Sequence, residues 1–186
     1  MLMHYHRVIT LKNGRPCLLR NAAQEDGAAV LDNFLRTHAE TDYLLTYPDE
    51  CTMDAAQEGR YLREKAESGD EIEIVAVVDG VIAGTAGIDA VGRRCKIRHR
   101  AEFGVSVLRD FWGLGIGQAL TQSCIECAKN AGYRQLELSV VAENNAALAL
   151  YRKLGFLECG RNPRGFRSRI TGDQELVSMR LELDEK

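Results

Sequence analysis

The sequence predicts an α/β fold of the α+β type, in which a mixed, mostly antiparallel central sheet of six to seven strands is flanked by helices. Runs of β-branched residues alternate with segments whose apolar residues recur at helical spacing. Consecutive strands are joined by short turn sequences, which is typical of antiparallel hairpins. The chain has 186 residues, 45% of them hydrophobic, so it is long enough to bury a core of its own.

The chain before residue 40 is predicted to contain a strand and a helix. Residues 16–21 (PCLLRN) form the strand, and residues 1–15 are an N-terminal extension or an added strand. The acidic pair Glu25 and Asp26 suits the start of a helix, where the helix dipole is positive. The apolar residues of this first helix recur at helical spacing: Val30, Leu31, Phe34 and Leu35.

A loop and a second helix are predicted to follow. Residues 40–50 carry acids, two tyrosines and Pro48, a composition typical of a loop or a broken helix. Thr52 is the expected cap of the second helix, and Gly69 is its expected end. This helix leads directly into the predicted sheet.

Two consecutive hairpins are predicted to form the centre of the sheet. Residues 72–78 and 81–88 are rich in β-branched residues, and Asp79-Gly80 between them favours the tight turn of a hairpin. A longer loop then leads into a strand at residues 101–107. Strands joined by such connections run antiparallel.

The remaining elements are predicted from apolar spacing and from glycines at helix ends. They are a helix on Ile116, Leu120, Cys124, Cys127 and Ala131 that ends at Gly132, a strand on Leu136, Leu138 and Val140, a helix capped by Asn144 and stopped by Gly155, and strands at 156–160 and 175–183. No repeat or linker interrupts this order, so we expect a single domain over residues 1–186.

Charge and composition exclude several classes of partner. The net charge of −3 offers no overall attraction to a polyanion, so we expect no nucleic-acid partner. No apolar run approaches the roughly 18 residues of a membrane helix, and the start of the chain (MLMHYHRVIT) lacks the basic segment and apolar core of a signal peptide. We therefore expect a cytoplasmic protein with no membrane partner.

The six cysteines are scattered along the chain, and free thiols are the expectation. Cys124 and Cys127 form a C-x-x-C motif, but no second pair of Cys or His follows at zinc spacing. Both fall at helical spacing within an apolar pattern, which favours two small packed side chains. We expect no metal site.

The stretch RDFWGLGIGQAL (residues 109–120) places three glycines within five residues, between a predicted strand and a predicted helix. Glycine costs about 0.5–1 kcal/mol relative to Ala inside a regular element, so this density indicates a close approach to the main chain. The first N–H groups of a helix have no partner within it, and the helix dipole is positive there. The loop is therefore predicted to bind phosphate.

Other classes of glycine-rich loop have different sequence motifs. The loop of nucleoside triphosphate-binding proteins needs a Lys followed by Ser or Thr, and none follows here. The dinucleotide fingerprint needs Gly or Ala at 118 or 120, where Gln118 and Leu120 stand, although Glu137 lies about 20 residues on. It also needs the first strand of a parallel unit, whereas two hairpins precede this loop. A tight turn without any ligand is the structural alternative.

Two segments together resemble the GNAT superfamily of N-acetyltransferases. The family's loop has the pattern Q/R-x-x-G-x-G/A, and Gly115 and Gly117 match its glycines. Its later segment has the pattern N-x-x-A-x-x-L-Y-x-x-L-G-F, which residues 144–156 match throughout. The resemblance covers residues 72–183 in element order, and the N-terminal strand and helices more loosely. Trp112 stands where the family has Gln or Arg, but main-chain donors do not depend on that side chain.

The resemblance implies a GNAT-like acyl-CoA N-acyltransferase fold with acetyl-CoA as cosubstrate. The amides of residues 113–118 would bind its pyrophosphate, and the pantetheine arm would run beside the strand that ends at Val107. The cofactor contacts implied in this way are Val105, Val107, Trp112, Gly113, Leu114, Gly115, Ile116, Gly117, Gln118, Asn144, Ala147 and Tyr151.

Acetyl transfer to an amine requires groups that accept and donate protons. An amine with a pKa near 10.4 attacks only when neutral, so its proton needs an acceptor, and the departing thiolate benefits from a proton donor. Tyr151 matches the tyrosine that protonates this sulfur in the family, whereas its spacing alone is that of an apolar helix face. We expect Glu102 to be the base, and Glu137 or a chain of water molecules is the alternative. Ser139 stands where some relatives carry a glutamate.

These observations predict an N-acetyltransferase that moves the acetyl group of acetyl-CoA to a primary amine by direct attack in a ternary complex. A non-catalytic acyl-CoA-binding sensor and a dinucleotide-dependent oxidoreductase are the alternatives. Acids and aromatics at 40–50 suit a cationic amine, and the basic residues at 93–100 and 161–169 suit the cofactor's 3′-phosphate, an acidic acceptor or plain solvation. The acceptor is a small-molecule amine or a protein or peptide amine. The sequence leaves its identity and the oligomeric state open, a homodimer included.

Overall fold

The computed structural model describes residues 4–183, which form an eight-stranded sheet with helices on both faces. The strands are β1 (His6–Thr10), β2 (Pro16–Asn21), β3 (Ile72–Val78), β4 (Val81–Ala90), β5 (Arg100–Val107), β6 (Gln135–Val141), β7 (Leu157–Ser168) and β8 (Gly172–Glu182). The α-helices are α1 (Gly27–Glu40), α2 (Ala55–Glu67), α3 (Ile116–Asn130) and α4 (Asn145–Lys153).

The strand order is β1-β2-β3-β4-β5-β6-β8-β7. Among the strand pairs of the described residues, only β5–β6 is parallel, because α3 carries the chain back between these two strands. The predicted mixed, mostly antiparallel sheet is thus confirmed, with more strands in the described residues than the six to seven expected. Strand β1 lies within the predicted extension at 1–15 and pairs with β2. This strand is mostly exposed, so its sequence shows little of the alternation of apolar and polar residues that indicates a strand. Residues 1–3 of the predicted extension lie outside the described residues.

The turn between β3 and β4 has the conformation that its sequence predicts. Asp79 has a φ of +48° and Gly80 a φ of +81°, so both central residues lie in the left-handed region. A two-residue turn of this kind twists in the same sense as the strands it joins. It aligns β3 and β4 over most of their length, which fixes the centre of the sheet.

The predicted cap of α2 is wrong. Asp54 caps the helix instead of Thr52, because its Oδ1 accepts a hydrogen bond from the N–H of Gln57 at 2.7 Å. The Gln57 Oε1 in turn accepts from the N–H of Asp54 at 2.8 Å. This reciprocal arrangement satisfies two main-chain donors at once, and D-x-x-Q is its signature in the sequence.

The buried side of α1 also differs from its apolar pattern. Val30 is buried as expected, but the next three predicted core residues are only half-buried, namely Leu31, Phe34 and Leu35. Asn33 and Thr37 are buried instead. Asn33 Nδ2 donates to the carbonyl of Ile82 at 2.8 Å, and Thr37 Oγ1 donates to the carbonyl of Asn33 at 2.8 Å. Polar side chains that bond to main chain can occupy a buried helix face, and apolar spacing does not detect them.

Strand β7 is much longer than the predicted strand at 156–160. It continues to Ser168 and forms a long hairpin with β8, with register shifts on either side of residues 160–162. The second half of the strand contains Pro, Gly and several Arg residues, which are depleted in strands or favour exposed positions. Phe156 precedes the strand and is completely buried.

The two faces of the sheet bury different side chains. Successive residues of a strand point to opposite faces, so Ile72 and Ile74 of β3 point one way and Glu73 and Val75 the other. Helices α3 and α4 pack on the first face, called here the α3 face, over a core that runs from β2 to β8. Helices α1 and α2 pack on the second, the α1 face, over a small cluster of Ala22, Val30, Leu62, Val75 and Ile82.

A buried lysine lies on the α1 face. Only 3% of the Lys65 side chain is exposed, and its Nζ lies 3.2 Å from Glu73 Oε2 and 2.9 Å from Asp89 Oδ1. Gly87 lies beneath this group, and a Cβ there would lie 2.9 Å from the Nζ and would overlap the carboxylate of Glu73. The absence of a side chain at Gly87 therefore makes room for the ion pair.

Within residues 4–183, no helix combines the length and apolar character needed to cross a lipid bilayer. No group of three or more His, Cys, Asp or Glu side chains in that range is arranged to hold a metal ion. Cys124 and Cys127 are free thiols buried in the core under α3. Burial raises the pKa of the Cys127 thiol to about 12, so it is protonated at neutral pH.

Candidate active site

The glycine loop joins the end of β5 to the start of α3. Gly113 has a φ of +76° and Gly115 a φ of +99°, values that residues with a Cβ rarely adopt. Gly115 is the N-cap residue of α3, and no side chain caps the helix there. The loop thus exposes the positive end of the helix without a covering side chain.

The N–H groups of residues 113–118 donate no hydrogen bond within the described part of the chain. The next residue, Ala119, is the first to bond back to the loop, through the carbonyl of Gly115 at 3.0 Å. The carbonyl of Leu114 is occupied, because it accepts from the N–H of Lys12 in the β1–β2 turn. A row of unpaired donors at a helix N-terminus is suited to bind an anion such as phosphate.

Trp112 acts on the shape of this loop through its indole. The indole N–H donates to the carbonyl of Val107 at 2.7 Å and so ties the loop to the end of β5. The guanidinium of Arg109 lies 5.5 Å from the indole ring, a cation–π contact. The side chain remains half exposed. A neutral residue at this position therefore holds the loop but adds no charge to it.

Strands β5 and β6 diverge beside the loop. Their parallel pairing ends at Glu102 and Glu137, although β5 continues to Val107 and β6 to Val141. Beyond that point one edge of β5 has no neighbouring strand within residues 4–183. The result is a gap through the sheet.

The orientation of the main chain in β5 follows from the bonds at its two ends. The carbonyl of His99 accepts from the β6 side, through Arg134 N–H, while Leu108 N–H donates to Ala83 on the β4 side. Because peptide groups alternate along a strand, those of the odd-numbered residues point toward β6. The peptide groups of Val105 and Val107 therefore point into the gap. The Val107 carbonyl already accepts from the indole of Trp112, so the peptide group of Val105 and the N–H of Val107 are the groups that can bind an extended ligand.

A cavity of about 680 Å³ occupies this gap. Its lining includes Phe103 and Val105 from the α3 face of β5 and Glu102 and Gly104 from the α1 face. Neighbouring residues of one strand point to opposite faces, so they can line a single cavity only where the sheet is open beside them. The predicted residues that line it are Glu102, Val105, Val107, Trp112, Gly113, Gly115, Ile116, Gly117, Asn144, Ala147 and Tyr151.

Two of the predicted contact residues lie outside the cavity lining. Leu114 packs against the core, and Gln118 Oε1 accepts from Lys153 Nζ at 2.9 Å. Only their main-chain N–H groups belong to the unpaired row. Asn144 Oδ1 accepts from the N–H of Ala147 at 3.2 Å and caps α4, so the start of this helix faces the cavity.

Tyr151 lines the cavity from the α3 face. Its ring packs edge-on against Phe103, with ring centroids 6.2 Å apart, and lies 5.7 Å from the ring of Phe156. The residue is 8% exposed, and its hydroxyl makes no hydrogen bond with any other described residue. Burial raises the pKa of Tyr151 to about 12, so the phenol is protonated at neutral pH. It is a free donor at the edge of the cavity.

The two candidate bases have different surroundings. Glu102 lines the cavity from the α1 face, is exposed, and makes no ion pair within the described residues. Glu137 is held by Arg100 in a bidentate ion pair, with Nη2 and Oε2 2.7 Å apart, and does not line the cavity. The hydrogen bond from Arg100 lowers the pKa of Glu137. Ser139 lines the cavity but has no ionisable group.

The loop at 40–50 forms a wall on the α1 side of the cavity. Tyr43, Leu44 and Leu45 contribute to the lining. The tip of the β7–β8 hairpin docks on the same loop, because Ser168 bonds to Asp42 and the guanidinium of Arg169 lies 4.2 Å from the ring of Tyr47. Arg169 also pairs with two acids of the loop, Asp49 and Glu50. The acids of this loop thus serve mainly to hold the hairpin.

The two basic segments are paired with nearby acids to different extents. In the first, Arg93 pairs with Asp70 and Glu71, and Arg100 pairs with Glu137. The second is paired throughout: Arg161 with Glu158 and Glu175, Arg164 and Arg167 with Asp173, and Arg169 with Asp49 and Glu50. None of these arginines lines the cavity.

Several residues that line the cavity escaped the sequence analysis. Asp89 is the register partner of Glu102 on β4, and Gly104 and Ser106 follow Glu102 on the same face of β5. Phe166 approaches from the far end of β7. Gly104 and Ser106 could have been identified from the sequence, because alternate residues of β5 share the face of Glu102. The positions of Asp89 and Phe166 at the cavity depend on how distant strands pair.

The chain is similar to known proteins in sequence and in fold. It is 26% identical over 168 residues to the L-amino acid N-acyltransferase MnaT of Escherichia coli (strain K12), an alignment that covers 90% of this chain and 95% of MnaT. The crystal structure of an acetyltransferase of the GNAT family from Streptococcus pneumoniae matches with a TM-score of 0.84 and 30% identity, covering 90% of this chain and 99% of that one.

A third match has a ligand. The structure of yncA from Salmonella typhimurium, solved with its cofactor acetyl-CoA, has a TM-score of 0.79 at 23% identity and covers 90% of this chain and 94% of that one. At this identity the likeness shows the fold alone. The model of the acetyltransferase (GNAT) family matches residues 34–156, which include the glycine loop, the divided strands and Tyr151. The predicted resemblance is confirmed, and the chain belongs to the acetyltransferase (GNAT) family.

Proposed function

We propose that this chain is an acetyl-CoA-dependent N-acetyltransferase that acts on a primary amine by direct attack in a ternary complex. One observation carries the proposal: a single cavity joins the loop of unpaired N–H groups, the hydroxyl of Tyr151 and the carboxylate of Glu102. The loop can bind a phosphate, and the other two groups can handle the protons of acyl transfer. We also propose that residues 1–186 act as one catalytic domain.

Acetyl-CoA is proposed to enter along the α3 face of the gap. The N–H groups of residues 113–118 bind its pyrophosphate, with the helix dipole of α3 adding to the attraction. The pantetheine arm continues the sheet beside β5 and bonds to the peptide group of Val105 and to the N–H of Val107. Its amides thereby take the place of the missing strand partner.

The reaction then takes place where Tyr151 and Glu102 face the cavity from opposite sides. The lone pair of the neutral amine attacks the thioester carbonyl, a C–N bond forms, and the tetrahedral intermediate collapses as the C–S bond breaks. Glu102 takes the proton that the amine loses and passes it to water. Direct attack fits the lining, because no Cys or His of the described residues lies in the cavity to form an acetyl-enzyme.

The role of Tyr151 depends on its acidity. Burial raises its pKa to about 12, whereas a cysteine-like thiol has a pKa near 8.5. Complete transfer of the phenol proton to the thiolate is therefore uphill. Tyr151 acts mainly as a hydrogen-bond donor that stabilises the negative charge developing on sulfur, and the thiolate acquires its proton as CoA leaves.

Calorimetric titration with acetyl-CoA, CoA and NADH, followed by a thiol-release assay with a panel of amines, tests this function. We expect acetyl-CoA and CoA to bind, NADH not to bind, and at least one amine to release thiol. Gly115→Ala should weaken the binding of both CoA species, because a Cβ at a φ of +99° forces the loop to move. Glu102→Gln should lower kcat by about 10²-fold or more, because the amide cannot accept the proton that the amine loses.

Gly132→Ala is the matched control for the loop. Gly132 has a φ of +83° just beyond the far end of α3, with open space around it, so this variant carries similar backbone strain at a distance from the cavity. It should bind CoA normally. An equal loss of CoA affinity in both variants, or binding of NADH in place of CoA, would contradict the proposed binding of pyrophosphate by the glycine loop. Tight binding of acetyl-CoA without turnover of any amine would indicate a sensor instead of an enzyme.

A further inference from the structure

The α1 side of the cavity carries two neighbouring carboxylates. Asp89 on β4 and Glu102 on β5 are register partners, so their side chains lie beside each other on one face of the sheet. Both line the cavity. They lie on the side opposite to Tyr151, which is where the amine approaches if acetyl-CoA lies along the α3 face.

The two carboxylates are not equivalent. Asp89 is fixed by the buried ammonium of Lys65, at 2.9 Å, and Lys65 is itself held by Glu73. Glu102 has no ion-pair partner among the described residues. A carboxylate held in place is suited to bind a charged group, whereas a carboxylate free of partners is suited to accept a proton.

No Arg, Lys or His of the described residues lines the cavity. A second cavity of about 400 Å³ adjoins it at Tyr43, Leu44 and Asn144, and it has no basic side chain either, while Glu143 adds a third carboxylate. The acceptor amine therefore meets negative charge and no positive side chain. An ammonium group is attracted to such a site, and a carboxylate on the same small molecule is repelled.

Apart from the hydroxyls of Ser106 and Ser139, the rest of this side is mostly apolar, and it is partly open. Leu44, Leu45, Phe166 and Leu176 form its walls. Gly104 forms part of the surface between Glu102 and these walls, and a Cβ built there has no atom within 4 Å. This free space beside an apolar wall fits an alkyl or aromatic body attached to the amino group.

We infer that the acceptor is a small primary amine with an apolar or aromatic body and no carboxylate next to its amino group, bound by Asp89 and deprotonated by Glu102. The inference rests on the proposed function and narrows its substrate class. A small molecule is favoured over a protein N-terminus because the β7–β8 hairpin docks on the 40–50 loop and limits the space on that side of the cavity. The acceptor class differs from that in the name of MnaT, which is an L-amino acid N-acyltransferase.

Three matched acceptors test the inference with the unmodified enzyme and acetyl-CoA. Phenethylamine, phenylalanine and phenylalaninamide share the same ring, and only phenylalanine carries a carboxylate. We expect kcat/KM for phenethylamine and phenylalaninamide to exceed that for phenylalanine by about tenfold or more. An equal or higher value for phenylalanine overturns the inference while leaving the proposed function intact. Failure to turn over any amine counts against the proposed function itself.

A tetrapeptide with an N-terminal phenylalanine is the fourth acceptor. Its amino group is next to an amide and not to a carboxylate, so charge alone does not exclude it. We expect a lower kcat/KM than for phenethylamine, because the docked hairpin limits the space for a chain. A peptide that is the best of the four acceptors overturns the assignment to small amines.

Asp89→Asn tests the anchoring carboxylate. We expect KM for phenethylamine to rise about tenfold or more and discrimination against phenylalanine to fall, with kcat at saturation and the affinity for acetyl-CoA nearly unchanged. Lys65 keeps Glu73 as its partner in this variant, so the fold should persist, and a thermal melt checks this. Asp32→Asn, which removes an exposed charge from the outer side of α1, is the control and should change neither constant. An unchanged KM and unchanged discrimination in Asp89→Asn would overturn the role of Asp89.

Gly104→Val tests the apolar part of the site. The added side chain meets no protein atom at its Cβ, so it should fill the cavity without disturbing β5. We expect kcat/KM for phenethylamine to fall about tenfold or more, and that for ethylamine to fall less, because only the larger amine needs the space. Equal losses for both amines, or no loss for either, would contradict this position for the apolar body.

Discussion

The two faces of the sheet are built from different interactions. On the α3 face, apolar side chains from β2 to β8 pack continuously under α3 and α4, with Leu120 and Phe156 completely buried. On the α1 face, the apolar cluster is small, and Lys65 lies buried between Glu73 and Asp89. Burial of an ion pair contributes little net stability compared with apolar packing of the same volume.

The two faces of the sheet also contribute different groups to the cavity. The α3 face supplies a rigid apolar surface and one hydroxyl, that of Tyr151, whereas the α1 face supplies charge, at Asp89 and Glu102. Lys65 fixes the carboxylate of Asp89, whereas Glu102 has no ion-pair partner among the described residues. We infer that the α3 face serves mainly stability and cofactor binding, and the α1 face mainly selects the amine. Three changes test this division, from the largest expected effect to the smallest.

Lys65→Met should destabilise the protein most. The substitution keeps the length of the side chain but leaves the partly buried carboxylate of Glu73 without its partner, at an expected loss of about 3–5 kcal/mol in the free energy of unfolding. Leu120→Met is the control on the α3 face, because this nearly volume-conserving change should cost less than about 1.5 kcal/mol. Urea unfolding at pH 7 measures both. Similar losses for the two variants would show that the faces do not differ in this way.

Tyr151→Phe should have the next largest effect, and on turnover alone. The hydroxyl has no partner among the described residues and the ring packing is retained, so stability should stay within about 1 kcal/mol of the parent protein. Loss of the donor should lower kcat by about 10²-fold, as in other sites where one hydrogen bond to a developing charge is removed.

Tyr133→Phe is the control for this experiment. Tyr133 is a second buried tyrosine of the α3 face core, and it does not line the cavity. Loss of its hydroxyl should leave kcat unchanged. A Tyr151→Phe enzyme with full turnover, measured by thiol release, would remove this residue from the mechanism.

Alkaline pH should weaken the α3 face with the smallest effect of the three. Burial raises the pKa of Cys127 to about 12, so its thiol loses a proton in the unfolded chain at lower pH than in the folded one. The stability that it contributes is present below about pH 8.5 and falls as pH rises toward 12. For one such thiol the loss between pH 7.5 and pH 10 is about 2 kcal/mol.

Urea unfolding at these two pH values, on the parent protein and on Cys127→Ala, measures this loss. The variant should show a smaller drop in the free energy of unfolding than the parent protein, although it starts from a lower value. Cys95→Ala removes an exposed thiol and should leave the drop unchanged. An identical drop in all three proteins would contradict the assignment to Cys127.

Much of the fold was predictable because its signals are local. The left-handed turn at Asp79-Gly80, the glycines at the start of α3 and the Asn144 cap of α4 each depend on a few adjacent residues. The prediction was wrong where local signals mislead. Asp54, and not Thr52, caps α2 because the side chains of Asp54 and Gln57 each accept a hydrogen bond from the other residue's N–H. Asn33 lies on the buried side of α1 because its side chain can bond to the main chain of β4.

The candidate site was predictable only in part, for the same reason. Glu102 and Glu137 both lie on strands next to the loop and were alternatives as bases. The structure distinguishes them, because Arg100 binds Glu137 whereas Glu102 lines the cavity. Asp89 gave no signal at all, since its role depends on a register partner in β5 and on a lysine from α2.

By itself, the sequence determined the order of the elements, the antiparallel centre of the sheet, the glycine loop with its unpaired donors and the family to which the chain belongs. These depend on backbone preferences and on spacing within short segments, which a linear sequence records directly. Only the tertiary structure decided that β5 and β6 part beyond Glu102, that one cavity therefore reaches both faces, and that Tyr151 and the Asp89–Glu102 pair meet there from opposite sides. Strand order and register bring these groups together across long stretches of chain, and no local pattern encodes such distances.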